Sequence, residues 1–286
     1  MIKTINGAMF GKMVEYASRL LDINREKVDA LNVFPVPDGD TGTNMGLTMQ
    51  SAVKGLKECH TNRLADICDL VSKGALRGAR GNSGVITSQI FKGLCKSFRD
   101  LNEITIKDFV KAMKAATDTA YAAVSKPKEG TILTVCRLMS ASAASQKAKD
   151  FETFFENIIE AGEMALASTP DLLPVLKKAG VVDSGGMGLL IIFKGMNAAI
   201  RGETIQDVPH EDVEVEQAPP KEEPTFVDLQ SLSSIEFAYC TEFFIINLKK
   251  RTTLADIDRG NYYGYKHTIP QMDAHYQQSA SLRIGS

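Results

Sequence analysis

Between residues 7 and about 201, apolar side chains recur at three- and four-residue steps, a period that commits this stretch to helices. The first stripe is Met9, Phe10, Met13, Val14, Ala17, Leu20 and Leu21. Others begin at Met45, Leu64, Val85, Phe109, Ile132 and Phe154, and the last runs Leu189, Ile192, Phe193, Met196 and Ile200. No alternating strand pattern of comparable length interrupts them. Roughly eight amphipathic helices joined by short connections predict an all-α domain over residues 1–203, an eight-helix antiparallel up-down bundle or barrel.

The pattern then changes. Residues 204–230 mix Asp207, Glu211, Asp212, Glu214, Glu216, Glu222 and Glu223 with Pro209, Pro219, Pro220 and Pro224, an acidic linker too polar to order itself. Residues 231–286 read as the incomplete start of a second domain, with a β-rich run from Ile235 to Leu248. A net charge of −2 argues against a nucleic-acid partner held by a broad basic face. The start, Met1 to Gly7, is too polar for a signal peptide, and no run is long enough for a membrane span. With five scattered cysteines and no CxxC, a cytoplasmic protein with reduced thiols is expected. Cys68, Cys95 and Cys136 fall in or beside apolar stripes and read as core residues; Cys59 is incidental and His60 solvated.

Glycines mark the places where chemistry can sit. In Asn32-Val-Phe-Pro-Val-Pro-Asp-Gly-Asp-Thr-Gly-Thr-Asn44 the prolines forbid a helix and the glycines permit tight turns. Asp38 and Asp40 flank one glycine and can face a single hard cation such as Mg2+, which takes few carboxylates beside phosphate oxygens and water. The plainer reading is an Asx-rich turn capping the next helix. An EF-hand is excluded, because its twelfth position counted from Asp38 is Met49 rather than Glu. A second cluster, Gly78-Ala-Arg-Gly-Asn-Ser-Gly84, precedes another helix and carries Arg80 and Ser83, the parts of a phosphate cradle. Gly130 with Thr131, and Asp183-Ser-Gly-Gly-Met-Gly188, repeat the arrangement. Loops preceding alternate helices of an up-down bundle share one end, so these helix starts can converge on one anion. No nucleophile–base set stands out, which suits phosphoryl transfer better than hydrolysis.

In order and register, Asn32 to Met45, Gly78 to Ile86, Glu129 to Val135 and Gly180 to Gly188 resemble the DhaL-type ATP-binding domain of dihydroxyacetone kinases. The Pro-Val-Pro form of the first motif is most similar to the ATP-binding subunit of bacterial fatty acid kinases. The resemblance implies a kinase that holds ATP or ADP with Mg2+ at one rim of an eight-helix barrel. It assigns Asp38 and Asp40 to the metal, with Asn32 completing the site. It assigns Thr41, Gly42, Thr43 and Asn44 to the phosphates, and Gly81, Asn82, Ser83 and Gly84 to the phosphate or ribose side. Thr131, Asp183, Ser184, Gly185 and Gly186 would close the nucleotide pocket.

The implied acceptor is a fatty acid carboxylate presented by a separate fatty-acid-binding carrier protein, giving acyl phosphate. The alternative is a triose hydroxyl on a dihydroxyacetone-binding subunit, as in a glycerone kinase. A non-catalytic nucleotide-binding regulatory module is the reading from another class, and a homodimer is left open. Phe237-Ala-Tyr-Cys-Thr-Glu-Phe243 resembles the opening of the fatty acid kinase middle domain, where a matching cysteine helps bind zinc, which would give that role to Cys240. That domain needs a His-x-His pair, and His267 and His275 are eight apart, so zinc is not expected. The chain is expected to be truncated or frameshifted, and inactive alone for that reason.

Overall fold

Helices form where the apolar period runs and stop at polar glycine- and proline-containing turns. The computed structural model describes residues 2–59 and 61–204, plus the backbone of two strands at 241–245 and 280–284. In chain order the elements are β1 (Thr4–Ile5), α1 (Gly7–Ile23), α2 (Arg25–Ala30), α3 (Thr41–Lys54), a 3-10 turn (Leu56–Glu58), α4 (Leu64–Gly78) and α5 (Gly81–Phe98). They continue with β2 (Ile104–Thr105), α6 (Ile106–Ala122), α7 (Ile132–Ser145), α8 (Phe151–Ala167), α9 (Thr169–Leu172), α10 (Pro174–Ala179) and α11 (Ser184–Arg201). Among the described residues eight helices, α1, α3 to α8 and α11, have 14 residues or more, one for each apolar stripe. The all-α expectation holds. The short α2, α9 and α10 have too few residues to display a period, and sequence patterning misses them.

Several helix starts are fastened by local side chains. Asn6 accepts from Met9 N, Asp150 from Thr153 N and Asp183 from Gly186 N, while Thr105 and Asp108 form a reciprocal capping box on α6. Helix α3 has no side-chain bond from its own cap residue, Asp40.

Neighbouring long helices pack in succession, α1 on α3, α3 on α4, and onward to α8 on α11, with α11 returning against α1. Two-residue strands β1 and β2 pair antiparallel, and Phe151 N donates to Ile2 O, tying the amino end to the middle of the chain. The chain has no Trp, and phenylalanines carry the bulk of the core. Phe109 lies 5.2–5.9 Å, centroid to centroid, from Phe98, Phe151, Phe154 and Phe155, and Phe10 and Phe193 extend the cluster. All seven rings are buried. Cys68, Cys95 and Cys136 are buried as expected. Burial pushes the Cys95 thiol up and Cys136 to about 11, so both are protonated at neutral pH.

The chain divides into two compact units, Met1–Ala218 and Pro219–Ser286. In the second, β3 (Thr241–Ile245) pairs parallel with β4 (Ala280–Ile284). β3 falls inside the expected β-rich run; the expected linker from residue 205 on, His60, Cys240, His267 and His275 lie outside the described residues. No described helix is long and apolar enough to cross a membrane.

Candidate functional site

The loop from Leu31 to Asp40 joins α2 to α3, and the first turn of α3 starts at Thr41, earlier than the stripe at Met45 suggests. Its fastening comes from a residue sequence reasoning passed over. Asp29, at the end of α2, accepts from Thr43 N at 3.0 Å and from Thr43 Oγ1 at 2.8 Å. A carboxylate fourteen positions upstream thus does the capping that Asp38 or Asp40 would do in a simple Asx turn. Asp38 is exposed and Asp40 half-buried. Loss of hydration raises the Asp40 carboxyl above the ordinary range; a hydrogen bond with the Asn44 side chain lowers it, and the nearby Asp38 and Asp29 carboxylates raise it further. Two like charges left beside each other are what a divalent cation relieves. Among the described residues no third His, Cys, Asp or Glu joins them to form a protein-only metal cage. That donor set fits Mg2+ shared with phosphate oxygens and water rather than zinc.

The buried amide of Asn32 lies beneath this pair. Its Nδ2 donates to Asp38 Oδ1 and to Val36 O, and its Oδ1 accepts from Thr41 Oγ1. Both ends of the amide of Asn32, a residue expected beside the metal, are engaged with protein. Thr41 Oγ1 in turn accepts from Ser184 Oγ at 3.2 Å, which joins the first turns of α3 and α11. Ser83 Oγ reaches Thr41 O at 3.5 Å, bringing in the start of α5.

The turn before α5 needs glycine at 81. Its φ is +56°, and a Cβ there would strike the Asn44 side-chain amide. Thr48, fully buried, donates to Asn44 O at 2.7 Å and takes Arg80 N at 3.4 Å, holding the loop against α3. Gly84 is buried behind this turn, and Asn82 is exposed at its front.

At α7, Gly130 (φ +82°) lies so close to Thr169 O and to Leu172 and Leu173 that no side chain fits. Its N–H donates to Thr134 Oγ1, and Thr134 donates to Glu129. Burial alone would raise Glu129, but bonds from Arg137, Thr134 and Tyr121 hold its carboxyl below the usual range. The Thr131 hydroxyl donates to Lys128 O and caps Leu133 N, so it serves its own turn. Helix α7 meets α11 where Gly185 packs on Ile132. Thus the starts of α3, α5, α7 and α11 adjoin, with Asp38, Asp40, Thr41, Asn44, Gly81, Ser83 and Ser184 in one neighbourhood.

Asp183 takes part as a buried cap. Burial pushes its carboxyl up to about 6, against the lowering bonds from Gly186 N and Ile132 N. Because the folded value exceeds the unfolded one, near 3.9, the fold binds the proton more tightly. The burial cost of the charge is absent below about pH 4 and complete above about pH 6. Asp183→Asn keeps an oxygen for Gly186 N and carries no charge. It should match the native stability near pH 4 and exceed it by up to about 3 kcal/mol above pH 6, read as the difference between two denaturation-versus-pH curves. Parallel curves would refute the shift.

The chain is 44% identical over 257 residues to an uncharacterised protein of Staphylococcus saprophyticus, covering 88% of this chain and 46% of that protein. It is 41% identical over 266 residues to protein YloV of Bacillus subtilis, covering 91% and 47%. The chain therefore spans about half the length of the curated relatives it matches. Among solved structures, the dihydroxyacetone kinase from C. freundii in complex with AMP-PNP and Mg2+ matches with a TM-score of 0.52 and 17% identity, over 70% of this chain and 35% of that one, a likeness of fold. The family model of the DAK2 domain covers residues 35–198, more than half of the chain, from within the paired-aspartate loop to the last turn of α11. The chain belongs to the DAK2-domain family.

Proposed function

We propose that residues 1–203 form the Mg2+-dependent, ATP-binding domain of a cytoplasmic kinase whose acceptor is a fatty acid carboxylate presented by a fatty-acid-binding carrier protein. The observation that carries this reading is the adjoining of four helix starts beside an aspartate pair that takes no part in capping α3. Helix starts present N–H groups and positive dipole ends, and nucleotide phosphates are the anions that use several of them at once. Asp38 and Asp40 would hold the metal, which supplies charge neutralisation to the phosphates. Asn44, Gly81 and Ser83 would line the α3–α5 side, with the buried Gly84, Gly185 and Gly186 packing the helix starts behind it. Thr41, Thr43 and Ser184 serve this site from behind, because their hydroxyls are bonded within the protein.

The fatty acid acceptor rests on the Pro-Val-Pro form of the first motif. The nucleotide and Mg2+ named for the C. freundii neighbour favour the same ligands here, and that neighbour's own activity is the alternative acceptor reading. Calorimetric titration of ADP with and without Mg2+ tests the binding step, with heat expected only when Mg2+ is present. Phosphoryl transfer from labelled ATP is then compared for an acyl-loaded carrier and for a dihydroxyacetone-binding subunit. Label on the acyl carrier alone supports the proposal; label on triose alone replaces the acceptor. Tight nucleotide binding without transfer to either favours a regulatory module, or the domain inactive alone that truncation implies, over a self-sufficient kinase.

A further inference from the structure

We propose that Asn32, Thr41 and Ser184 are positioning residues that fix the Asp38 carboxylate through a one-way chain of hydrogen-bond donation starting at α11. The proposal rests on the reading of Asp38 as a metal ligand. Ser184 Oγ donates to Thr41 Oγ1 at 3.2 Å, Thr41 Oγ1 donates to Asn32 Oδ1 at 2.8 Å, and Asn32 Nδ2 donates to Asp38 Oδ1. The three side chains are 4%, 6% and 7% exposed, so water competes weakly for their bonds. Every donor points toward the negative end, and such chains polarise one another in a low-dielectric interior.

The residue types match their places. A hydroxyl has one proton to give and lone pairs to accept with, which suits the middle of a relay. An amide carries an acceptor for Thr41 and two protons on the other side. One proton goes to Asp38 and the other to Val36 O at 3.1 Å, so Asn32 pins the proline-containing loop at two points. A carboxylate at 32 has no proton for either partner when ionised. The Asn32 oxygen, the atom that would coordinate a metal, is the one Thr41 occupies. Holding Asp38 in one orientation before the cation arrives lowers the ordering cost of binding. It also makes the metal loop sensitive to where the first turn of α11 sits, although Ser184 and Asp38 are 146 positions apart in the sequence.

The test uses the whole chain with Thr41→Val, Thr41→Ser, Ser184→Ala and Asn32→Leu, each checked for a native melting transition. In metal-free protein, hydrogen–deuterium exchange is followed at the amides of the non-proline residues of 33–40. Mn2+ affinity, with ADP present, is measured by electron paramagnetic resonance. Thr41→Val should speed exchange in the loop and weaken Mn2+ by about tenfold, the size expected when an outer partner of a ligand is lost. Thr41→Ser should restore both, Ser184→Ala should move both less, and Asn32→Leu should move both in the same direction. The proposal is overturned if Thr41→Val exchanges like the native protein, or if Thr41→Ser is no better than Thr41→Val. If Thr41→Val does not fold, Asn32→Leu and Ser184→Ala decide by the same two readouts. Native protein that binds no Mn2+ refutes the metal reading of Asp38, whereas loop exchange unchanged across the variants refutes the donor chain.

Discussion

Asp38→Asn should cost Mg2+-dependent ADP binding on the order of 100-fold or more, since even a group behind a metal ligand is commonly worth 10–100-fold. The substitution is nearly isosteric, and the side chain is exposed. Folding without nucleotide should therefore change by no more than about 0.5 kcal/mol. The loss of one negative charge beside Asp40 also removes one of the causes that raise its carboxyl. The measurement is calorimetric titration beside a thermal melt of the nucleotide-free protein. Unchanged affinity in a folded variant would remove Asp38 from the metal site. Unchanged affinity in Asp40→Asn as well would end the metal assignment of the loop.

The largest stability effect is expected far from that loop. Phe109 meets four other rings, each in an edge-on or tilted geometry that favours aromatic pairs. Through them α6 grips α5 and α8. Phe109→Ala removes the common partner and leaves a cavity that four rigid rings close poorly. A loss of about 3–5 kcal/mol follows, and the melting midpoint should fall by on the order of 10 °C. Phe109→Leu should recover much of it. A loss below about 1 kcal/mol for the alanine variant would mean the cluster can repack and is not the centre of the core.

What could be read from the sequence was what is locally encoded. Each long helix writes a stripe across its own residues, as Phe109, Val110, Met113, Ala116 and Ala120 do for α6. Each candidate loop declares itself through glycine and proline, which act on the backbone they belong to. The partnerships were not legible. Asp29 caps Thr43 from another helix, and no local pattern marks an aspartate for a task fourteen residues away. The bonds of Asn32 to Thr41, Val36 and Asp38 are of the same kind, because spacing cannot tell an amide that faces a cation from one that holds a carboxylate. Thr48 and Glu129 lie one step behind the glycine turns, where their work depends on packing between helices.

The Asp29 cap also changes what a bound nucleotide would report. A peptide of residues 41–54 starts with bare N–H groups and no side-chain bond from Asp40, so it has little reason to keep its first turn in water. That turn becomes rigid only when α2 has docked and brought Asp29 to Thr43. The end of α3 that would face the phosphates on the proposed reading is therefore completed by a tertiary contact rather than by its own sequence. A fluorescent nucleotide would consequently serve as a gauge of completed folding, its signal growing with docking of α2 rather than with the earlier appearance of helical circular dichroism.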